Sequence, residues 1–132
     1  DKKPDKSSQI PEGTWRSLKL HKIRHEKAKQ GFGYNLVKDF SQPTNTLSAR
    51  YAKDGAEILI EEGWDRPRKI TLNEGKKLMG FNNAYAKHYG HPQGFPIVCS
   101  NAQAYKQLGN AVVPMIIEEI GMLIHKYISP KI

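Results

Sequence analysis

The run from Gly109 to Ile128, "GNAVVPMIIEEIGMLIHKYI", sets the hardest condition on any fold this chain can adopt. Asn110 is placed to cap a helix there, with Pro114 tolerated in its first turn. Val113, Ile116, Ile117, Ile120, Ile124 and Tyr127 form one face of that helix, yet Val112, Met115, Met122 and Leu123 fall largely outside it. Glu118, Glu119 and Lys126 make only a narrow polar stripe. A helix oily over most of its circumference is normally buried on several sides. A chain of 132 residues with an apolar share of 38% has little to bury it with. The expectation is that a partner surface for this helix lies outside the chain.

The preceding residues read as short elements. Asp1 to Gly13, with Pro4 and Pro11, is expected to be a flexible lead-in; it lacks both a methionine start and the apolar core of a signal peptide, as a piece of a longer protein would. Thr14 is expected to cap a helix through "WRSLKLHKIRHEKAKQ", where Trp15, Leu18 and Ile23 give a thin apolar stripe. Lys19, Lys22, Arg24, Lys27 and Lys29 make the rest of it cationic, and "GFGY" at Gly31 to Tyr34 stops it. "TNTLSARYAKDGAEILIEE" predicts a β-hairpin: Thr46, Leu47, Ala49 and Tyr51 suit a strand, Asp54-Gly55 a tight turn, and Glu57 to Ile60 the return. Gly63 to Arg68 is a cationic loop, and Thr71 with Glu74 has the capping-box spacing of a helix that stops at Gly80. Phe81 to Val98 reads as irregular loop, and Gln103 to Leu108 as a short helix broken at Gly109-Asn110.

Charge narrows the partner. Lys and Arg number 21 against 13 Asp and Glu, giving a formal charge of +8 and a pI near 9.6. Such an excess favours a polyanion, nucleic acid being the commonest soluble one, although a merely basic soluble protein has the same balance. The single cysteine, Cys99, rules out an internal disulfide framework and fits a reducing cytoplasm. No apolar run is read as crossing a membrane, because Glu118, Glu119 and Lys126 interrupt the C-terminal one. His21 and His25 have helical spacing but no third ligand, and His88 and His91 flank a loop without a cysteine pair, so no metal site is expected.

Two stretches carry a family resemblance. "RPRKITLNEGKKLMGF" followed by "QAYKQLGNAVVP" resembles the ninth and tenth sequence blocks of DNA (cytosine-5) methyltransferases. In the ninth, Arg68, Ile70, Thr71, Glu74, Leu78, Gly80 and Phe81 fall in register; in the tenth, Gln103 through Val112 fits throughout. Asn73 and Lys77 stand where that family usually has arginines, and Asn82 where it has proline. "RHEKAKQGFGYNL" and "TNTLSARYAKDGAEILI" look like the target-recognition region of bacterial members. The Gly-rich cofactor block, the Pro-Cys nucleophile block and the Glu-Asn-Val block of that family are absent, and Cys99, in "IVCSN", does not follow a proline.

The resemblance implies an α+β chain in three parts. Residues 1–13 are the lead-in, 14–98 a small target-recognition domain with a β-hairpin or irregular sheet that includes the ninth block at 66–81, and 99–132 the tenth block and final helix. The C-terminal helices would pack on a missing Rossmann-like catalytic domain or subunit. It implies transfer of a methyl group from S-adenosylmethionine to C5 of a cytosine flipped out of double-stranded DNA. The thiolate nucleophile would lie outside this chain, so this part alone would be inactive. Asn110, Ala111 and Val112 match the turn beside the cofactor. Thr46 and Leu47 match a Thr-Leu pair near the target base, and Arg50, Lys53 and Arg66 have the reach for base edges; Arg68 closes the same DNA-facing loop and is placed to brace two domains. Lys27 and Lys29, with Lys19 and Lys22, suit phosphates. The location implied is the bacterial cytoplasm at the nucleoid. A non-enzymatic basic nucleic-acid-binding module, a small complementing subunit of a split methyltransferase and a degenerate relative remain as alternatives.

Overall fold

The computed structural model describes residues 4, 6–31, 33–90 and 94–129. Among the described residues five α-helices accompany a very small sheet: α1 (Glu12–Lys27), α2 (Leu72–Leu78), α3 (Phe81–Tyr89), α4 (Asn101–Asn110) and α5 (Pro114–Ile128), with β1 (Leu36–Val37), β2 (Leu59–Ile60) and β3 (Arg68–Lys69). The sheet order is β1-β2-β3. β1 runs parallel to β2, with Leu36 beside Leu59, and β3 runs antiparallel to β2, with Ile60 beside Arg68. The architecture is mixed α and β, as expected from the sequence.

The predicted hairpin is not formed. β2 lies where the return strand was expected, but its neighbours are β1 and β3 rather than the segment from Thr46 to Tyr51. Arg50 to Asp54 instead closes one helical turn, with Lys53 N and Asp54 N both donating to the Arg50 carbonyl at 2.8 and 3.0 Å. Tyr51 explains the choice. Its side chain is wholly buried, and its hydroxyl donates to Ile58 O at 2.6 Å and accepts from Ile70 N at 2.7 Å. A strand would have spent the backbone here on a neighbour; the turn frees the ring to plug the core.

That core is Leu47, Tyr51, Ile58, Ile60, Ile70 and Leu108, with Val37, Leu72, Met79, Phe81 and Tyr105 packed around it. Leu108 belongs to α4, so the division expected at 98/99 runs through a shared core, with α4 packed on α2. Part of the expected lead-in is ordered structure among the described residues. Lys6–Ser8 forms a 3-10 turn, Gln9 bridges to Arg68, Ile10 N donates to Pro67 O at 3.1 Å, and Ile10 is buried.

Helix ends follow local chemistry in most places. Thr71 caps α2 in a complete capping box with Glu74. Ser100 caps α4, which starts earlier and runs longer than predicted, with Asn110 as its last residue rather than a cap. Val113 takes the N-cap position of α5, ahead of Pro114. α1 starts at Glu12 after Pro11, not at Thr14. Phe81 to Tyr89, expected as loop, is helical because Gly80 turns the chain at a positive φ of 75° and Phe81 and Tyr85 then clasp Phe95, with ring centroids 5.2 and 5.6 Å away.

α5 emerges largely uncovered. Met115, Ile116, Ile117, Ile120, Met122, Leu123, Ile124, Tyr127 and Ile128 are 45 to 84% exposed. α3 packs against it, and Lys87 Nζ reaches Glu118 Oε1 at 2.6 Å. The run Asn101–Ile128 is long and apolar enough by composition to suggest a membrane span, contrary to the reading of the sequence. It is nevertheless two helices, broken by extended backbone at Ala111 and Val113. The 15 residues of α5 reach about 22 Å, short of a hydrocarbon core of about 30 Å.

Candidate nucleic-acid interface and cofactor wall

The turn from Arg50 to Asp54 is fixed from four sides. Ser48 accepts from Arg50 N at 3.2 Å, while its own hydroxyl donates to Glu57 at 2.5 Å. Lys69 Nζ donates to the carbonyls of Ala52 at 3.0 Å and Tyr51 at 3.4 Å, satisfying oxygens that a one-turn helix leaves open. Gly55 ends the turn at φ 52°, and a Cβ there would strike the Lys69 side chain. Behind the turn, Gly109 of α4 lies so close to Ser48 and Ala49 that a Cβ would overlap their backbone atoms. From this base Arg50 points outward, its Nε donating to Asp54 Oδ2 at 2.6 Å. The Arg50 hydrogen bond holds the Asp54 carboxyl below the usual carboxylate range.

Lys53 and Asp54 also line one side of a cleft of about 680 Å³ whose other side is α1, through Thr14, Ser17, Leu18, His21 and Arg24. α1 has no buried residue. It is held by Trp15, packed edge-on to Tyr34 with centroids 4.7 Å apart, and by Lys22 lying 4.7 Å from the Tyr34 ring centroid. Lys27, its last residue, and Lys29 beyond it are exposed.

The other expected contacts separate. Arg66 sits across α1, in a cavity of about 450 Å³ with Glu12, Trp15, Arg16, Lys19 and Asp65, its Nε 3.1 Å from Asp65. Thr46 is exposed, but Leu47 is 5% exposed and belongs to the core, so its side chain is not presented to a ligand. Arg68 departs furthest from a DNA contact. It is 2% exposed, with Nη1 and Nη2 each 2.8 Å from Glu74 and Nη2 2.5 Å from Glu62. Its guanidinium fork is spent on two carboxylates, and the ninth-block pattern of Arg68, Thr71 and Glu74 is one closed network around the start of α2. Burial alone would raise the Glu74 pKa, but hydrogen bonds from Arg68 and from Thr71 N outweigh it and hold the carboxyl below its ordinary value.

Asn110, the last residue of α4, leads through Ala111 and Val112 towards α5. Ala111 is extended, its N–H donating to Leu108 O at 3.2 Å, while Asn110 and Val112 face outward, Val112 at 63% exposed. A small methyl, an apolar Val112 side chain and an outward amide stand beside the uncovered face of α5. Among the described residues no group of three or more His, Cys, Asp or Glu is gathered as a metal site. His21 and His25 stack with centroids 3.9 Å apart, and His91 lies outside the described residues. Cys99 is half-buried and donates to Gln107 at 3.5 Å.

Sequence reasoning missed two anchoring groups. Tyr105 donates its hydroxyl to Ile70 O at 2.7 Å while Tyr51 accepts from Ile70 N, so two tyrosines clamp one residue. Burial pushes the Tyr51 hydroxyl far above its usual range and Tyr105 up to about 12, so both remain protonated donors. The two departures Asn73 and Asn82 are partners: Asn82 Nδ2 donates to Asn73 Oδ1 at 3.1 Å, and Asn82 Oδ1 accepts from Phe95 N at 3.1 Å. Their spacing of nine residues across a helix end gives no periodic signal.

Comparison with known proteins finds relatives over most of the chain. Type II methyltransferase M.NlaX of Neisseria lactamica is 43% identical over 118 residues, covering 89% of this chain and 34% of the relative. Type II methyltransferase M.SsoII of Shigella sonnei is 41% identical over 121 residues, covering 92% and 29%. The DNA-cytosine methyltransferase of Escherichia coli K12 is 38% identical, covering 89% and 27%. The chain thus spans about a third of the length of these curated relatives, or less. The family model for C-5 cytosine-specific DNA methylase matches residues 1–126, and the chain belongs to that family.

Proposed function

We propose that this chain is the DNA-recognition and C-terminal part of a DNA (cytosine-5) methyltransferase, completed by a catalytic domain or subunit that holds the nucleophile. The observation that carries this reading is the uncovered apolar circumference of α5 beside the outward link at 110–112. A self-sufficient binding module has no use for nine large apolar side chains left in water.

In this reading Arg50 and Lys53 meet base edges from the turn at 50–54, and Thr46 lies beside the target nucleotide. Lys27, Lys29 and Arg66 meet the phosphate backbone, which positions without specifying. Arg68 braces β3 to α2 instead of touching DNA. S-adenosylmethionine, when bound, would supply the electrophilic methyl group. Asn110, Ala111 and Val112 would contribute one edge of its pocket, with the thiolate and the remaining walls in the completing part. Because the turn at 48–49 rests on Gly109, base contact and the cofactor edge share one rigid support. Flipping a paired cytosine costs a few kcal/mol, offset by contacts from both parts. The bacterial cytoplasm is the compartment this reading implies.

The test is reconstitution. This chain and a separate polypeptide carrying the missing blocks are expected to transfer no labelled methyl group alone, and to do so into duplex DNA when mixed. Silence from well-folded, co-purifying parts would refute the proposal. DNA binding by the chain alone should weaken linearly in log–log dependence on salt; salt-independent binding would remove the phosphate-contacting role.

A further inference from the structure

We infer that Asp54 is a positioning residue for sequence readout: it fixes the Arg50 guanidinium through Nε and so presents its two terminal amino groups as a fork for guanine. This inference rests on the reading that Arg50 faces DNA. An isolated surface Arg–Asp pair is an ordinary, nearly neutral feature. This one differs in its foundation. The backbone of Arg50 is bonded to Ser48, the following Tyr51 is locked into the core, the turn's carbonyls are held by Lys69, and Gly109 closes the rear. Both side chains nevertheless remain accessible, Arg50 at 69% and Asp54 at 47%.

The geometry also says which ligand suits it. Asp54 engages Nε alone, at 2.6 Å, which leaves the outer edge of the guanidinium free. Two parallel N–H donors match the paired acceptors O6 and N7 of guanine. A phosphate could accept the same fork, but it carries charge, and a carboxylate beside the arginine repels it. A base edge is neutral, so Asp54 costs little there and removes rotamer freedom before contact. The pairing therefore favours a base over a phosphate.

The experiment is selection of randomised duplexes by the 132-residue chain, followed by sequencing of the bound fraction. Arg50→Ala should abolish guanine preference at one position. Asp54→Asn, and separately Asp54→Ser, should weaken preference at that same position by at least about fivefold. Total binding should be retained or tightened, because one negative charge is lost. Unchanged preference in both Asp54 variants, with preference lost in Arg50→Ala, would overturn the positioning role and leave Arg50 as a reader. Unchanged preference in Arg50→Ala, or no enrichment of any base by the unaltered chain, would overturn both.

Discussion

Gly109→Ala sets two physical effects of opposite sign against each other. Gly109 is the penultimate residue of α4, where alanine has the better helix propensity by about 1 kcal/mol. Judged from the helix alone, the substitution stabilises. The tertiary contact says otherwise: the new methyl would overlap the carbonyl carbon of Ser48 and the amide nitrogen of Ala49. Relaxed carbon contacts lie near 3.5–4.0 Å, and neither neighbour is a side chain that can swing aside. Overpacking of this kind typically costs about 1–3 kcal/mol, and backbone on both sides places it at the upper end. The net expectation is a loss of about 2 kcal/mol, or a fall in Tm of roughly 8 °C for a chain of this length. Differential scanning calorimetry reads it directly. Gly121→Ala is the control, since nothing lies within 4 Å of a Cβ at Gly121, and it should increase helicity without penalty. A Gly109→Ala protein as stable as the parent, or more so, would mean that α4 and the Ser48-Ala49 backbone do not meet as described.

Glu74→Gln should flatten the acid limb of stability. The folded carboxyl titrates below its unfolded value, so its contribution is complete above about pH 4.3 and is lost as pH falls through the folded value, as Tm against pH will show. Asn82→Ala should cost about 1 kcal/mol, and Asn73→Ala should cost markedly less once Asn82 is gone; additive losses in denaturant titrations would deny their coupling. Replacing Ile120 and Ile124 by glutamine should suppress self-association in sedimentation experiments while leaving the core's Tm within a few degrees, because both side chains are about half exposed.

What the sequence disclosed was chiefly what short spacing controls. The Thr71–Glu74 box forms as read, and α5 is uncovered on the sides its residues predict. The hairpin failed for a reason local signals cannot carry. Asp54-Gly55 does turn the chain, but Lys69, 17 residues beyond Ala52, supplies the donor that lets a helical turn end there. Tyr51 looks like a strand aromatic until Ile58 and Ile70 are seen to need its hydroxyl. α3 escaped because Asn82 and Asn83 are poor helix formers; its support comes from Phe95, beyond the helix. Arg68 reads as a cation of a basic loop that braces two domains, and only the third dimension brings Glu62 and Glu74 around it. Of the expected DNA contacts, Arg50 and Lys53 share one turn, whereas Arg66 stands across α1 because chain proximity to Arg68 says nothing about direction.

The uncovered helix sets the scale of what remains to be gained on assembly. Burying a large aliphatic side chain is worth about 1.5–3 kcal/mol, and the nine exposed residues of α5 each retain roughly half of that in water. The unrealised burial is therefore on the order of 10 kcal/mol, similar to the whole stability of an ordinary domain. A 15-residue helix is marginal by itself, so the proposed covering partner would add to the order of α5. Association would consume a comparable amount in lost freedom, which on the proposed function leaves the balance to the fit of the proposed cofactor edge at 110–112 against a wall in the completing part. Covering α5 without completing that edge should yield a weak complex. Completing both should yield a tight one whose affinity rises with S-adenosylmethionine, and isothermal titration with and without the cofactor would separate the two. Equal affinity in both titrations would show that the link between α4 and α5 is only a connector.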